Sequence, residues 1–361
     1  MSGDDARWMR TALGLGARGQ GRVWPNPAVG CVIVRDGRVV GRGWTGPGGR
    51  PHAETEALRQ AGEAARGATA YVTLEPCAHF GRTPPCVEAL IRAAVARVVI
   101  AMGDPDPRTD GAGVERLRAA GIAVTSGVEE RAAARAHQGF VSRVTKGRPT
   151  LTLKLASSLD GRIATGTGES QWITGPEARR AVHAMRVRHD AVLVGAGTAR
   201  ADDPSLTVRG LGMAHQPVRV VISRRLDLPT DSQLARSARD IPLWLICAED
   251  APEERQADWR ELGAEIIALP APLDLGQALA AMGQRGLTRV FCEGGGALAA
   301  SLLQADLVDD LITFTAGMTL GAEGLPAIGP LALAALDQAP RYALRETRQI
   351  GTDILTHWSR A

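Results

Sequence analysis

The residues best equipped for chemistry lie between Pro51 and Cys86: His52 and Glu54 in Pro51-His52-Ala53-Glu54, then Cys77 and Cys86 at the two ends of Cys77-Ala78-His79-Phe80-Gly81-Arg82-Thr83-Pro84-Pro85-Cys86. One imidazole and two thiolates form a zinc-binding set that leaves a fourth coordination position for water. A metal there lowers the pKa of its water from about 15.7 towards about 7, which makes hydroxide available in neutral solution. Glu54, two residues past His52, would carry a proton and would not bind the metal. Taken singly each residue is ordinary: Cys77 and Cys86 suit buried structural thiols, and His52 suits a helix start. All four in this order point to metal-assisted hydrolysis.

The elements that must position them can be read from the apolar pattern. Residues 6–17 read as a short helix with Trp8, Met9, Ala12 and Leu13 on one side. Residues 31–34 read as a strand, and Asp36-Gly37 turns it into a hairpin with Val39-Val40. Pro51 fits the first turn of a helix, where its missing N–H removes no bond, so His52 and Glu54 fall in or beside that turn. A strand over 70–74 delivers Cys77 into a loop, and Pro84-Pro85 opens a helix to about residue 96 with Cys86 in its first turn. Strands over 98–102 and 122–126 then alternate with helices over 114–120 and 129–144. Such alternation implies a sheet with parallel strands flanked by helices. Thr145-Lys146-Gly147-Arg148-Pro149 is a linker signal, dividing the chain into domains over 1–146 and 149–361.

The second half restarts with a strand over 151–156 and a helix over 176–188. Further strands are expected at 191–195, 218–222, 243–247, 264–268, 289–292, 311–316 and 354–358. Glu293-Gly294-Gly295-Gly296-Ala297 follows one of these strands and opens a helix over 298–303. Strand, glycine loop and helix is a phosphate-binding arrangement, with free N–H groups at the positive end of a helix dipole. It lacks the G-x-G-x-x-G of the Rossmann fingerprint.

Composition bounds what these sites serve. At 361 residues, 45% apolar and 22% charged, the chain holds two ordinary globular domains. The net charge of +3 is small and the basic residues are scattered, and four Phe and two Tyr offer no stacking platform; both argue against nucleic acid. Five Cys with no paired spacing do not form a disulfide framework; Cys31, Cys247 and Cys292 sit in apolar runs as small hydrophobes. No apolar stretch approaches the roughly 18 residues of a membrane span, and the N-terminus does not read as a signal peptide. A cytoplasmic enzyme acting on a small molecule is the expectation.

The spacing from Cys77 to Cys86, nine positions, departs from the general H-x-E with P-C-x-x-C pattern of zinc deaminases. It is similar to the deaminase half of the bifunctional riboflavin-biosynthesis family, a pyrimidine deaminase fused to a ribosyl reductase. The second half resembles the reductase of the same family through Lys154-Leu155-Ala156-Ser157-Ser158-Leu159-Asp160-Gly161, Glu169-Ser170-Gln171-Trp172-Ile173-Thr174, Gly197-Thr198 with Ala201-Asp202-Asp203-Pro204, and Leu206-Thr207-Val208-Arg209. The resemblance covers nearly the whole chain. It implies an α/β architecture, a cytidine-deaminase-like three-layer domain followed by a dihydrofolate-reductase-like domain that uses NADPH.

The resemblance also implies roles. His52, Cys77 and Cys86 would hold one zinc ion, with His79 the rival imidazole, and Glu54 would be catalytic. Asn26, His79, Arg82 and Asp104 would touch the deaminase substrate. Lys154, Ser170, Arg186, Leu206, Arg209 and Glu293 would touch the reductase substrate, the two arginines gripping its phosphate. Ala156, Trp172, Thr198, Asp202, Gly295, Gly296, Ala297, Leu298, Ala299, Ala300 and Ser301 would contact NADPH, with Lys154 and Asp202 near hydride transfer. Asp106 stands where the family usually has Asn, and a carboxylate lacks the amide donor. The implied reactions are deamination of 2,5-diamino-6-(ribosylamino)-4(3H)-pyrimidinone 5′-phosphate and reduction of its ribosyl group to ribityl. The alternative is a nucleic-acid or nucleotide deaminase with a regulatory nucleotide-binding C-terminal domain. Oligomeric state stays open, a homo-oligomer included.

Overall fold

The computed structural model describes residues 3–81 and 84–360 and divides into two compact units, 1–147 and 148–361. In the first, α1 (Gly3–Gly16) precedes the hairpin β1 (Gly30–Arg35) and β2 (Arg38–Trp44); then come α2 (Ala53–Ala61), β3 (Thr69–Val72), α3 (Cys86–Arg92), β4 (Arg97–Ile100), α4 (Ala112–Ala119), β5 (Ala123–Ser126) and α5 (Glu130–Lys146). The sheet order is β2-β1-β3-β4-β5, antiparallel around β1 and parallel from β3 to β5. The hairpin turns at Asp36 (φ 49°) and Gly37 (φ 70°), as its sequence predicts.

Both faces of this sheet are covered. Cys31 and Ile33 of β1 join a core with Ala57 of α2, Leu90 of α3 and Leu117 of α4. The alternate residues Val32 and Val34 face a second core with Met9 and Ala12 of α1 and Ala133 of α5. That is a three-layer unit. Leu90 is fully buried, so its truncation to Ala costs about 2–5 kcal/mol. A Cβ on Gly43 of β2 would lie 2.2 Å from the Ala53 carbonyl. Glycine there lets the N-terminus of α2 lie close against the sheet, which sets the depth of His52 and Glu54.

The second unit runs β6 (Thr150–Ser158), β7 (Arg162–Ala164), α6 (Pro176–Val187), β8 (Ala191–Gly195), α7 (Ala196–Asp202), β9 (Val218–Ile222), α8 (Gln233–Arg236), β10 (Leu243–Ala248), α9 (Glu253–Glu261), β11 (Glu265–Leu269), α10 (Leu275–Gln284), β12 (Arg289–Cys292), α11 (Gly296–Gln304), β13 (Asp310–Ala316), β14 (Leu325–Pro326), β15 (Tyr342–Ile350) and β16 (Asp353–Arg360). Nine strands form one sheet, ordered β11-β10-β9-β8-β12-β6-β13-β16-β15. It is parallel from β11 to β13, and β16 and β15 close it antiparallel. From β8 the chain moves outward through β9, β10 and β11, then returns with β12 on the other side of β8. The carboxyl ends of β8 and β12 therefore border a crevice at a topological switch point, where open α/β sheets bind ligands.

Several local expectations are corrected. Pro51 lies outside α2, whose N-cap is His52 in extended conformation (φ −70°, ψ 155°). The helix carrying Cys86 stops at Arg92, because the chain turns through Ala94 at φ 50°. Strand β15 was not expected from its sequence: six of its nine residues are exposed and it includes Arg345, Glu346 and Arg348, so it lacks an apolar alternation. The α7 helix and the small β7–β14 ribbon were also not anticipated.

Candidate active sites

In the first unit His52, at the N-cap of α2, faces Cys86, the first residue of α3, while the loop after β3 brings Cys77 between them. His52 Nδ1 lies 3.0 Å from Cys86 Sγ and 3.6 Å from Cys77 Sγ, and the three ligating atoms all fall within 4.8 Å of one another. Tetrahedral zinc with usual bond lengths puts N···S edges at roughly 3.6 Å and S···S edges at roughly 3.8 Å. The donor set fits that metal in type, number and spacing. The Cys86 N–H donates to Cys77 Sγ at 3.3 Å. The Cys77 thiol is held down to about 4, first by its hydrogen bond from Cys86 and then by His52, while Cys86 is pushed up as the donor of that bond.

Glu54 is buried in the first turn of α2, beside His52, Cys77 and Cys86, and burial raises its carboxyl pKa. Arg50 contacts His52 Nε2, on the ring edge away from the sulfurs. Asn26 packs against Gly49, next to Arg50, with its amide donating to the Val23 carbonyl. His79 is not one of the converging donors; its Nδ1 meets Thr109 Oγ1 at 3.3 Å. Arg82 lies outside the described residues.

A residue without a role in the sequence reading, Glu75, organises the far wall. Its buried carboxylate accepts from the backbone N–H groups of Asp104, Gly111, Gly113 and Val114 at 2.9–3.4 Å. The only sequence signal was a carboxylate placed directly before Pro76-Cys77. Arg116 adds a clamp, donating to the Ala78 carbonyl at 2.7 Å while paired with Glu88. Asp104 is nearly buried, and burial raises its carboxyl to about 6. Asp106 is gripped by Arg108 at 2.5–3.1 Å, which holds its carboxyl below the usual range. Asp106 is therefore an anion whose donor lies on Arg108, two residues on.

In the second unit the register Cys292↔Leu153 sets Glu293, just past the end of β12, beside Lys154, midway along β6. Arg186 of α6 bonds both Glu293 oxygens, at 2.5 and 3.0 Å, and donates to the Thr207 carbonyl at 2.6 Å. The side chains of this pair are only 11% and 12% exposed. The three guanidinium nitrogens thus each make one bond, and Arg186 orients Glu293. Burial lowers the Lys154 ammonium, with Glu293 opposing the shift. Burial raises Glu293, but Arg186 outweighs it and the carboxyl stays below its usual range.

Arg209 is exposed, and its N–H donates to His183 Nδ1 at 3.2 Å. Leu206, also implied as a substrate contact, is buried with its side chain in the core, at φ 54°. Ser170 is half-buried and Trp172 is 65% exposed, with Arg179 stacked over its ring at 4.6 Å.

Across the crevice Thr198 Oγ1 of α7 accepts from the Gly295 N–H at 3.1 Å, tying the end of β8 to the glycine loop. α11 starts at Gly296 with no side-chain cap, so the N–H groups of Gly296, Ala297 and Leu298 are available to an anion. A Cβ on Gly296 would lie 2.5 Å from the Pro326 carbonyl, so only glycine fits that packing. Ala299 and Ala300 face the core, and Ser301 bonds back to the Ala297 carbonyl, so not all of the run 295–301 points outward. Ala156, on β6, and Asp202, at the end of α7, lie on the elements that flank the crevice. A cavity of about 360 Å³ between α7 and α9, lined by residues such as Arg200, Asp227 and Trp259, contains none of these candidates.

The fold and the two sites define a deaminase of the zinc type joined to an α/β reductase. Residues 2–102 match the cytidine and deoxycytidylate deaminase zinc-binding region, and residues 149–356 match the RibD C-terminal domain. The chain is 42% identical to the riboflavin biosynthesis protein RibD of Escherichia coli (strain K12), over 98% of each chain. It is 39% identical to that of Aquifex aeolicus (strain VF5), over 99% of this chain and 98% of the relative. Among solved structures, Acinetobacter baumannii RibD superposes with a TM-score of 0.89 at 40% identity, covering 99% of both chains. A Thermotoga maritima diaminohydroxyphosphoribosylaminopyrimidine deaminase/5-amino-6-(5-phosphoribosylamino)uracil reductase gives 0.87 at 34%, also over 99% of both.

The chain belongs to the RibD family. It is a bifunctional riboflavin-biosynthesis enzyme, with a zinc-binding deaminase domain and an NADPH-using reductase domain. The reading as a nucleic-acid deaminase is not favoured. No helix among the described residues is long and apolar enough to cross a membrane.

Proposed function

We propose that the first unit deaminates 2,5-diamino-6-(ribosylamino)-4(3H)-pyrimidinone 5′-phosphate and that the second reduces the deaminated product at its ribosyl carbon. The observation that carries this is the convergence of His52, Cys77 and Cys86 beside the buried Glu54. His52, Cys77 and Cys86 hold the metal; bound zinc makes water acidic enough to deliver hydroxide near neutral pH. Glu54 takes a proton from the attacking water and returns it to the departing amine, so water is consumed and ammonia leaves. Asn26, His79 and Asp104 orient the pyrimidine. Glu75 holds their wall rigid through its four N–H bonds. Arg82 completes this set by family resemblance.

In the second unit, bound NADPH supplies the hydride that the sugar C1 receives. Lys154 stands over the reacting end of the sugar and hands a proton to the ring oxygen as it opens. Glu293, fixed by Arg186, orients the sugar with Ser170 and the backbone at Leu206. Arg209, exposed at the rim, takes the phosphate. Thr198, Asp202, Ala156, Trp172 and the turn at 295–298 position the cofactor, with 299–301 supporting that turn from within α11. The substrate is a free phosphorylated pyrimidine, not a nucleic acid. Five free thiols, two of them proposed ligands, suit the reducing cytoplasm.

The test is product mass. The full chain, incubated with the diaminopyrimidinone phosphate, should exchange NH for O without NADPH and gain two further hydrogens with it. An unchanged mass under both conditions would refute the reading.

A further inference from the structure

Arg209 lies between α7, which ends at Asp202, and β9, which begins at Val218, in a stretch with no helix or strand of its own. Its guanidinium has no hydrogen-bonding or ion-pair partner among the described residues, so it is open to an anion. An arginine on an unsupported loop must be ordered each time it binds, and that ordering opposes affinity. Without a strand ladder, the main chain at Arg209 needs other partners to hold it in one place.

Side chains supply those partners. Leu206 and Val208 are buried, and Gln216 meets Val208 at both its N–H, 2.7 Å, and its carbonyl, 3.2 Å. The residues on either side of Val208 bond to α6 instead. Arg186 donates to the Thr207 carbonyl at 2.6 Å, and His183, three residues earlier, accepts the Arg209 N–H at Nδ1, 3.2 Å away. A backbone N–H only donates, so Nδ1 is bare and the proton of the neutral ring sits on Nε2. Burial, aided by Arg186 and Arg209 and opposed by Glu293 and the Thr207 carbonyl, lowers the His183 pKa. The imidazole is therefore in its accepting form at neutral pH. Two residues of one helix face thus hold the two ends of Thr207-Val208-Arg209.

We propose that His183 is a positioning residue for the reductase substrate: its Nδ1 fixes the main chain of Arg209, so that the guanidinium meets the substrate phosphate already in place. His183 brings no charge to the site and acts through Arg209 alone. Arg186 secures the same segment from Thr207, but it is also tied to Glu293, whereas the His183 bond serves Arg209 directly. The inference rests on the reading of Arg209 as the phosphate contact and deepens it.

Steady-state reduction of the already deaminated, phosphorylated substrate by the full chain tests it, with thermal melts to show that each variant is folded. His183→Ala and His183→Leu, which remove the acceptor, should raise KM for that substrate about three- to tenfold, the effect of one neutral hydrogen bond. Their kcat and their KM for NADPH should not move. His183→Asn places Oδ1 where Nδ1 stood and should recover most of the lost affinity. In an Arg209→Ala background His183→Ala should raise KM no further, because a positioning residue acts only through the group it positions. Effects that multiply in the double variant, an Asn variant no better than Leu, or a parallel rise in KM for NADPH would overturn the role of His183 and leave that of Arg209 standing. Arg209→Ala with an unchanged KM for the phosphorylated substrate would instead sink the phosphate reading, and this inference with it.

Discussion

The first site draws three ligating atoms within 4.8 Å of one another from two helix starts and one loop. The second spreads its candidates along β6, past the ends of β8 and β12, on the flank of α6 and at the turn into α11. The contrast follows from the chemistry each must do. A metal fixes its ligands at about 2.0–2.3 Å, so the donors must converge on one point. A dinucleotide is long and carries its own reactivity, so the protein must line a path instead. In the first site a single substitution should abolish one step. In the second, different residues should separate into affinity, orientation and stability.

The largest expected effect is at Glu54. Glu54→Gln keeps the shape but loses the proton carrier, and deamination should fall by about 10²- to 10⁴-fold. Zinc content, read by atomic absorption, and the reductase rate should both be unchanged. Deamination at the original rate with zinc retained would remove Glu54 from the mechanism.

The two arginines of the second site should then part company. Arg186→Ala leaves the buried Glu293 carboxylate without its main partner, and such a loss costs about 3–5 kcal/mol, less what Lys154 recovers. Denaturant melts should show it in the reductase unit. Arg209→Ala should leave the melt alone and raise KM for the phosphorylated substrate by about ten- to a hundredfold. Equal stability for the two variants would mean that the Arg186–Glu293 pair is not structural.

The smallest effect concerns acid. His189 is buried between the Met185 carbonyl, at 2.7 Å, and Thr152 Oγ1, at 3.1 Å. Burial, aided by Arg289 and Arg188 and opposed by Asp310, lowers its pKa to about 3. Its unfolded pKa is about 6.5. Between these values the unfolded chain binds the extra proton. His189 therefore contributes full stability above pH 6.5 and loses about 1.4 kcal/mol for each unit of acidification below it. His189→Gln should flatten that part of the decline, seen as a difference in melts between pH 7 and pH 5. A difference that does not change with pH would show that His189 takes its proton in the folded state as readily as in the unfolded one.

What could be read in advance follows the same division. His52, Glu54, Cys77 and Cys86 lie within 35 residues, and each has a type that few roles explain, so the first site could be reconstructed locally. Glu75 could not: a carboxylate that accepts four backbone N–H groups looks like any glutamate until the segment over 104–114, a loop and the first turn of α4, is folded over it. The parallel strands of the second sheet were visible because both faces are buried and their sequences run apolar, as in Leu243–Ala248. β15 escaped notice because its residues face solvent and it pairs only with β16, at the sheet edge. Arg186 was legible as a functional position but not in its partner, since Glu293 lies 107 residues away.

The central claim is that zinc chemistry belongs to the first unit alone, and one sample can test it. The protein is treated with a chelator and assayed for both reactions, the second with already deaminated substrate, while circular dichroism follows the fold. Metal binding contributes folding free energy, so the dichroism is needed to separate lost chemistry from lost structure. The account predicts that deamination disappears, is restored by zinc, and is lost in Cys77→Ser, while NADPH-dependent reduction continues at close to its original rate. A chelated protein that stays folded yet loses both activities in parallel would contradict it.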